Sequence, residues 1–131
     1  MNPTANGARI QGRSSSGAII LDVALPSGAY ASPGPGWRSN TSGSRYVFKD
    51  GRPGGSGSIV KMVVAHVGGA FAKVTVTGKG GSYPVTAASL PLRATVVLGG
   101  QAAGQDGECG EVAFTAAQCR TAAGNTILIC K

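Results

Sequence analysis

The three cysteines, Cys109, Cys119 and Cys130, are the residues best suited to chemistry, and all lie close to the end of the chain. Two predicted strands flank Gly124-Asn125, and a two-residue hairpin loop at that point places Cys119 directly opposite Cys130. Directly opposed strand residues have Cα atoms about 4.5 to 5.5 Å apart, which is within disulfide range. We therefore predict a disulfide between Cys119 and Cys130, with Cys109 outside the pair or able to exchange into it.

A zinc site is the alternative use of three cysteines. Their separations of ten and eleven residues match no common zinc finger or ribbon spacing, and the chain has a single histidine, His66. We expect no metal and no other cofactor. The disulfide favours an oxidising environment, and so an extracellular or cell-surface location.

The residues available for acid–base catalysis are few. His66 falls in the middle of a predicted strand, where a structural imidazole is more common than a general base. The pair Glu108 and Glu111 could be imagined for glycoside hydrolysis, and Asp106 with Glu108 for calcium, but both sets are incomplete. The remaining acids are Asp22 and Asp50, and no nucleophile-elbow, phosphate-loop or dinucleotide motif occurs. We predict that the chain is not an enzyme.

Aromatic residues offer a different chemistry, the stacking of sugars. Residues 27 to 43 form the longest loop by composition and contain Tyr30 and the only tryptophan, Trp37. An exposed Trp beside a Tyr can stack on the apolar face of a pyranose. A Trp that leads into a strand is as often a core residue, and we favour that reading. The candidate glycan-binding residues are therefore Trp37 with Tyr30 or Tyr83.

The charge balance is strongly basic. Twelve Lys and Arg residues against five Asp and Glu residues give a formal net charge of +7, which is compatible with an anionic partner. The basic residues are spread singly, without a run of three, as on the solvated outer faces of strands. This spacing argues against a dedicated polyanion site, and against nucleic acid as the partner.

The elements that must position these residues are strands. The 22 glycines and seven prolines accompany many Val, Ile, Thr and Ser residues, a composition typical of short strands with sharp turns. The strongest signal is a hairpin over residues 58 to 80 with a Gly68-Gly69 turn, in which we expect Val63 and Val74 to be core residues. The sequence predicts an all-β fold, an antiparallel β-sandwich of about seven to nine strands.

The chain divides by composition into residues 1–16 and 17–131. The first part is polar and rich in Gly, Ser and Asn, with one short possible strand at 8–11, and we interpret it as an N-terminal tail or an edge or donor strand. Residues 17–131 form the sandwich domain. We expect self-association through addition of strand 8–11 to the open edge of a neighbouring copy. The sequence has no apolar run long enough to suggest membrane insertion.

Several short motifs resemble an uncharacterised β-rich repeat module of secreted multidomain bacterial surface proteins. They are Leu25-Pro26, Gly36-Trp37, Tyr46-Val-Phe-Lys-Asp50, Val74-Thr-Val-Thr-Gly-Lys-Gly80, Leu90-Pro-Leu92, Cys109-Gly-Glu-Val-Ala-Phe114, Cys119 and Cys130-Lys131. The resemblance spans residues 17–131 and implies an extracellular bacterial setting with tandem copies or assembly. It carries no catalytic residues across.

These observations lead to one leading function and two alternatives. The leading one is a non-catalytic structural or adhesive module of a secreted bacterial surface protein that self-assembles into a filament. The first alternative is a carbohydrate-binding module that uses the aromatic residues. The second is a basic, coat-like protein that binds nucleic acid.

Overall fold

The computed structural model describes residues 2–69, 71–99, 108–122 and 127–131, and its regular structure is almost entirely β. A single-turn helix α1 (Pro3–Asn6) precedes the strands. These are β1 (Ala8–Arg13), β2 (Ile19–Leu25), β3 (Gly36–Ser39), β4 (Arg45–Lys49), β5 (Ile59–His66), β6 (Ala72–Gly78), β7 (Leu92–Val97), β8 (Cys109–Phe114), β9 (Cys119–Ala122) and β10 (Ile127–Cys130). The predicted all-β class is confirmed.

The strands form two four-stranded antiparallel sheets and one separate hairpin. The first sheet has the order β2-β1-β7-β8, the second has the order β3-β4-β5-β6, and β9 pairs with β10. Eight strands thus belong to the two larger sheets, within the predicted range, and the hairpin brings the described total to ten. The buried hydrophobic cluster draws on both sheets, as in a β-sandwich.

The core lies between the inner faces of the two sheets. Phe48, Met62 and Val64 of the second sheet are fully buried, while Ile10 and Leu25 of the first are 4% and 3% exposed. Burying side chains of this size stabilises a fold by about 1.5 to 3 kcal/mol each. Alternation along each strand directs the polar residues outward, so each sheet presents its charged side chains on its outer face.

The N-terminal residues belong to the first sheet instead of forming a tail. Strand β1 is paired with β2 on one side and with β7 on the other, so it is a central strand and not an edge strand. Ala8 and Ile10 enter the core, and Pro3 of α1 is also buried. The polar residues Arg9 and Gln11 that suggested a tail lie between these apolar positions, on the outer face.

The central hairpin confirms one core prediction and corrects the other. Val74 packs against the core, as expected, but Val63 is only half-buried and lies on the outer face. The register of β5 with β6 shifts between Ile59 and Lys61, so that Ile59 and Met62 both reach the core. The simple two-residue period of the sequence does not show this bulge.

The turn of this hairpin is one residue longer than predicted. A loop of Gly68-Gly69 alone would pair Val67 with residue 70, whereas the Val67 amide donates to the Phe71 carbonyl at 3.1 Å. Both glycines have positive φ, which residues with a Cβ seldom adopt. The register of β5 and β6 follows from this longer turn.

Candidate anion-binding face

Trp37 is a core residue and is not available to a sugar. Its side chain is 1% exposed, and its ring centroid lies 5.2 Å from that of Phe48 in a tilted arrangement. The indole N–H donates a hydrogen bond to the Pro26 carbonyl at 2.8 Å, which satisfies its polar atom inside the protein. Burial therefore rules out the stacking role that the sequence allowed for Trp37, and the interpretation of Trp37 as a core residue is confirmed.

The two tyrosines are engaged in separate local contacts. The Arg38 guanidinium carbon lies 4.7 Å from the centroid of the half-buried Tyr30 ring, a cation–π contact that covers one face of that ring. The Tyr83 hydroxyl donates to the Gly57 carbonyl, and burial raises the pKa of Tyr83. The backbones of Tyr30 and Trp37 are hydrogen-bonded to each other, whereas Tyr83 packs on a different segment of the chain. The structure therefore does not assemble the three side chains into one aromatic surface.

The cysteines are placed as the hairpin register predicts. Cys119 of β9 pairs with Cys130 of β10 and forms a disulfide with it, at a Cα–Cα distance of 4.1 Å. Cys109 is exposed at the start of β8. The predicted Gly124-Asn125 loop lies outside the described residues, as does Asp106.

The acidic side chains seen in ion pairs link neighbouring parts of the fold. Asp22 on β2 accepts two hydrogen bonds from Arg9 on β1, at 2.7 and 2.6 Å, and these lower the pKa of Asp22. Glu111 on β8 pairs with Arg93 on β7 at 3.2 Å. Both pairs bridge neighbouring strands on the outer face of the first sheet, which therefore carries charges of both signs.

Asp50 is the third carboxylate of this kind and is fully buried. The Arg52 guanidinium donates to both carboxylate oxygens, at 3.0 and 2.9 Å, and the Ser56 hydroxyl donates at 2.6 Å. These hydrogen bonds, with that from Arg52 the largest cause, hold the pKa of Asp50 well below its usual range. Its role is to fix the loop between β4 and β5. Within the part of the chain that the structure describes, no group of three or more His, Cys, Asp or Glu side chains could hold a metal ion.

The outer face of the second sheet carries cations alone. We call it the cationic face and define it by five exposed basic residues: Arg38 on β3, Arg45 and Lys49 on β4, Lys61 on β5 and Lys73 on β6. Among residues 2–69, 71–99, 108–122 and 127–131, no Asp or Glu lies on these strands. The contrast with the mixed face of the first sheet shows that the +7 charge is not evenly distributed.

The strand register sorts this face into three rows across the sheet. One row contains Arg45, Ala65 and Lys73, the next contains Arg38, Val47, Val63 and Thr75, and the third contains Lys49, Lys61 and Thr77. Strands are spaced by about 4.8 Å, and two residues along a strand by about 6.8 Å. The backbones of the first and third rows therefore lie about 13 to 14 Å apart. The row between them has two valines and a threonine on β4, β5 and β6, and its one cation is Arg38 on β3.

Lys49 and Lys61 are direct cross-strand partners. Like charges placed directly opposite each other destabilise a pair of strands, because the two ammonium groups repel. In the described part of the sheet no carboxylate offsets this repulsion. An anion bound to the face would neutralise this repulsion.

The face also has a shallow depression of about 320 Å³. Its lining combines three cations, Arg45, Lys61 and Lys73, with the apolar and hydroxyl side chains of Val63, Ala65, Thr75 and Thr77. This arrangement can hold an extended anionic molecule against the sheet by charge, hydroxyl contacts and apolar packing.

The cationic face was missed from the sequence because the basic residues are far apart in the chain. A signal was nevertheless present, since Arg45 and Lys49 are four residues apart in one predicted strand and must share a face. Assigning Lys61 and Lys73 to that same side requires the sheet order β4-β5-β6, which local periodicity does not supply.

Comparison with protein-family models, with curated protein sequences and with solved structures finds no match to this chain. The class that the chain's own residues define is an all-β, two-sheet domain with a disulfide-linked hairpin. Such a disulfide is typical of proteins outside the reducing cytosol. Across the described ranges, none of the helices has the length and apolar character needed to span a membrane.

Proposed function

We propose that this chain is a non-catalytic adhesive module of a secreted bacterial surface protein, and that it adheres by holding anionic polymer on its cationic face. The observation that carries the proposal is the single sign of charge on that face. Five exposed cations share the outer side of one sheet, while Asp22, Asp50 and Glu111 are paired with arginines elsewhere.

Physical chemistry supports adhesion through such a surface. Clustered charges of one sign produce a potential of several kT, which concentrates oppositely charged molecules and accelerates their association. A sheet whose backbone is hydrogen-bonded between strands is also a rigid support, so the backbone positions that carry the cations are held at fixed spacings. Extracellular placement is supported by the disulfide and by the resemblance to bacterial surface modules.

The experiment compares two double variants that carry the same net charge. Arg45→Gln with Lys61→Gln removes two cations from the cationic face, and Arg13→Gln with Lys131→Gln removes two from other parts of the molecule. Binding to dextran sulfate, used as a general polyanion, is measured by titration calorimetry over a range of salt concentrations.

We expect the face variant to lose affinity and to show a shallower salt dependence, by about one unit of logarithmic slope per cation removed. The matched control, Arg13→Gln with Lys131→Gln, should bind nearly as the unmodified protein does. If both double variants weaken binding equally, net charge alone is responsible and the face is not an adhesive site.

A further inference from the structure

We infer that the end of the cationic face nearest the β5–β6 turn docks on an anionic lipid bilayer. In this contact Val67 and Phe71 enter the boundary between headgroups and acyl chains, and Arg45 and Lys73 lie at the level of the lipid phosphates. The contact goes beyond the proposed function, because its partner is a lipid surface and it depends on apolar side chains that polymer binding does not require.

The turn between β5 and β6 presents apolar side chains to solvent. Val67 is 60% exposed and Phe71 is 75% exposed, the two largest fractions among the large hydrophobic residues that the structure describes. A Cβ built on Gly68 or Gly69 would meet no described atom within 4 Å, so the turn protrudes from the domain. We call Val67, Gly68, Gly69 and Phe71 the apolar tip. Exposed apolar side chains that are grouped in this way mark contact sites for proteins or membranes.

The apolar tip continues the cationic face by one row. The Val67 amide donates to the Phe71 carbonyl at 3.1 Å, so the two residues face each other across the turn. Because alternate residues along a strand share a face, Phe71 lies on the same side of the sheet as Lys73. Lys73 shares a row with Arg45, and the backbone of that row is about 6.8 Å behind the apolar pair.

The two turns at this end of the second sheet contain no carboxylate. The His66 amide donates to the Ser44 carbonyl at 2.8 Å, which places the β3–β4 turn beside the β5–β6 turn. Segments 36–49 and 59–79 supply the four strands and both of these turns, and neither segment contains Asp or Glu. Anionic headgroups around the apolar tip would therefore be attracted by the nearby cations, with no opposing charge from this sheet.

The order of the apolar and cationic rows matches the layers of a bilayer surface. Amphipathic elements at the interface bury their apolar groups about 5 to 10 Å into the boundary between headgroups and acyl chains. With the apolar tip at that depth, a spacing of about 6.8 Å puts Arg45 and Lys73 among the phosphates. When the strands stand on the membrane in this way, the row of Lys49 and Lys61 is about 13 to 14 Å farther out, beyond the Debye length of about 8 Å.

The size and shape of the apolar tip favour lipid over a protein partner. A stable protein interface buries about 800 Å² per partner and has closely fitted surfaces. Two apolar side chains on a protruding turn offer much less, since even a fully buried aromatic side chain contributes only about 150 to 250 Å². A fluid bilayer needs no matching pocket and accepts a narrow protrusion.

The test measures sedimentation with vesicles at physiological salt. One set of vesicles contains phosphatidylcholine alone, and the other contains equal parts of phosphatidylcholine and phosphatidylglycerol. Val67→Ser with Phe71→Ser removes the apolar side chains of the tip. Ile19→Ser with Val112→Ser is the matched control, because these two exposed hydrophobic residues lie on the first sheet. Circular dichroism checks that each variant unfolds cooperatively.

We expect the unmodified chain to sediment with the anionic vesicles and not measurably with the neutral ones. The tip variant should lose roughly tenfold in affinity for the anionic vesicles, because it no longer transfers apolar surface out of water. The matched control should bind as the unmodified chain does. Binding of the tip variant to dextran sulfate should be unchanged, since all the cations are kept.

Two further double variants of equal net charge test the orientation. Arg45→Gln with Lys73→Gln removes the cations nearest the apolar tip and should weaken vesicle binding roughly fivefold for each cation. Lys49→Gln with Lys61→Gln removes cations that lie beyond the Debye length from the phosphates, so it should weaken binding much less.

A fluorescence measurement reports the depth of the tip. In the Phe71→Trp variant, the added indole should be quenched by anionic vesicles whose acyl chains carry bromine. The unmodified chain is the control, because its Trp37 is 1% exposed and should not be quenched. This readout is independent of any loss of stability in the serine variants.

Three results would overturn lipid docking through the apolar tip. They are unchanged vesicle binding by the tip variant, equal losses for the two charge variants, and absence of quenching in Phe71→Trp. Light scattering that shows oligomers of the unmodified chain, lost in the tip variant, together with no vesicle binding, would identify a second copy as the occupant and would also reject docking on lipid. Dextran sulfate binding remains a separate readout, because its loss with vesicle binding retained would reject the proposed polymer site alone.

Discussion

At the scale of single residues, Asp50 has the most demanding environment. Its buried carboxylate accepts hydrogen bonds from the Arg52 side chain, the Arg52 amide and the Ser56 hydroxyl. Gly55 packs so closely that a Cβ there would lie 2.4 Å from a carboxylate oxygen. The loop between β4 and β5 is therefore built around this one negative charge.

We expect Asp50→Asn to lower the free energy of unfolding by about 1.5 to 3 kcal/mol at neutral pH, because hydrogen bonds to a charged group are lost. The folded-state pKa of Asp50 lies below the usual value of about 3.9. Its stabilising effect is therefore complete above about pH 4 and is lost as the pH falls toward the folded-state pKa. Urea unfolding between neutral and acidic pH should show a weaker pH dependence for the variant.

Asp22→Asn provides the control for that measurement. Asp22 also has a lowered pKa because of Arg9, but the ion pair lies at the surface. Surface ion pairs contribute about 0 to 1 kcal/mol, so this change should have a smaller effect. Equal losses for the two variants would show that burial of the Asp50 carboxylate does not set its contribution.

The residue-level predictions from sequence succeeded where two interacting residues lie on the paired strands of one hairpin. Cys119 and Cys130 could be paired because a hairpin register relates their positions by simple counting. The environment of Asp50 could not be predicted, since it depends on a turn in which Ser56 has positive φ. A lone aspartate before a glycine has many surface roles, and local sequence does not distinguish the buried one.

At the scale of elements, the bulge in β5 decides which valines are buried. Val64 is fully buried between the sheets, whereas its neighbour Val63 is half-buried on the cationic face. We expect Val64→Asp to prevent soluble folding, because an unpaired charge would be placed in the core. Val63→Asp should fold, with a much smaller loss of stability. Soluble yield and thermal unfolding followed by circular dichroism measure the difference.

Val74→Asp extends that comparison to the neighbouring strand. Val74 pairs with Val64 and packs against the core, so its replacement should resemble Val64→Asp. A soluble, cooperatively unfolding Val64→Asp protein would contradict the assigned inner face of β5. The sequence-based choice of Val63 for the core was wrong because both sets of alternating positions in this strand contain apolar residues. The bulge between Ile59 and Lys61, which simple strand periodicity does not show, determined the outcome.

At the scale of the whole molecule, composition was enough to predict an all-β fold. The pattern of turns and apolar strands gave approximately the right number of strands for two packed sheets. The position of β1 in the sheet could not be predicted. The strand is short and its apolar residues alternate with Arg9 and Gln11, so the segment resembles a polar tail. Its partners, β2 and β7, are separated by much of the chain. Long-range strand order depends on packing that no local window contains.

The central position of β1 gives the last prediction. We expect a chain lacking residues 2–14 to lose cooperative thermal unfolding, because β2 and β7 would each lose a hydrogen-bonded neighbour, and the buried side chains Pro3, Ala8 and Ile10 would be removed. Adding a synthetic peptide of residues 2–14 should restore the fold, since an extended strand can pair between open edges. Light scattering of the full chain then shows whether β1 pairs within one copy or between copies. A monomer at micromolar concentration indicates pairing within one copy. Oligomers that form with increasing concentration and disappear with the deletion indicate pairing between copies. A truncated chain that unfolds at the same temperature as the full chain would contradict the central placement of β1.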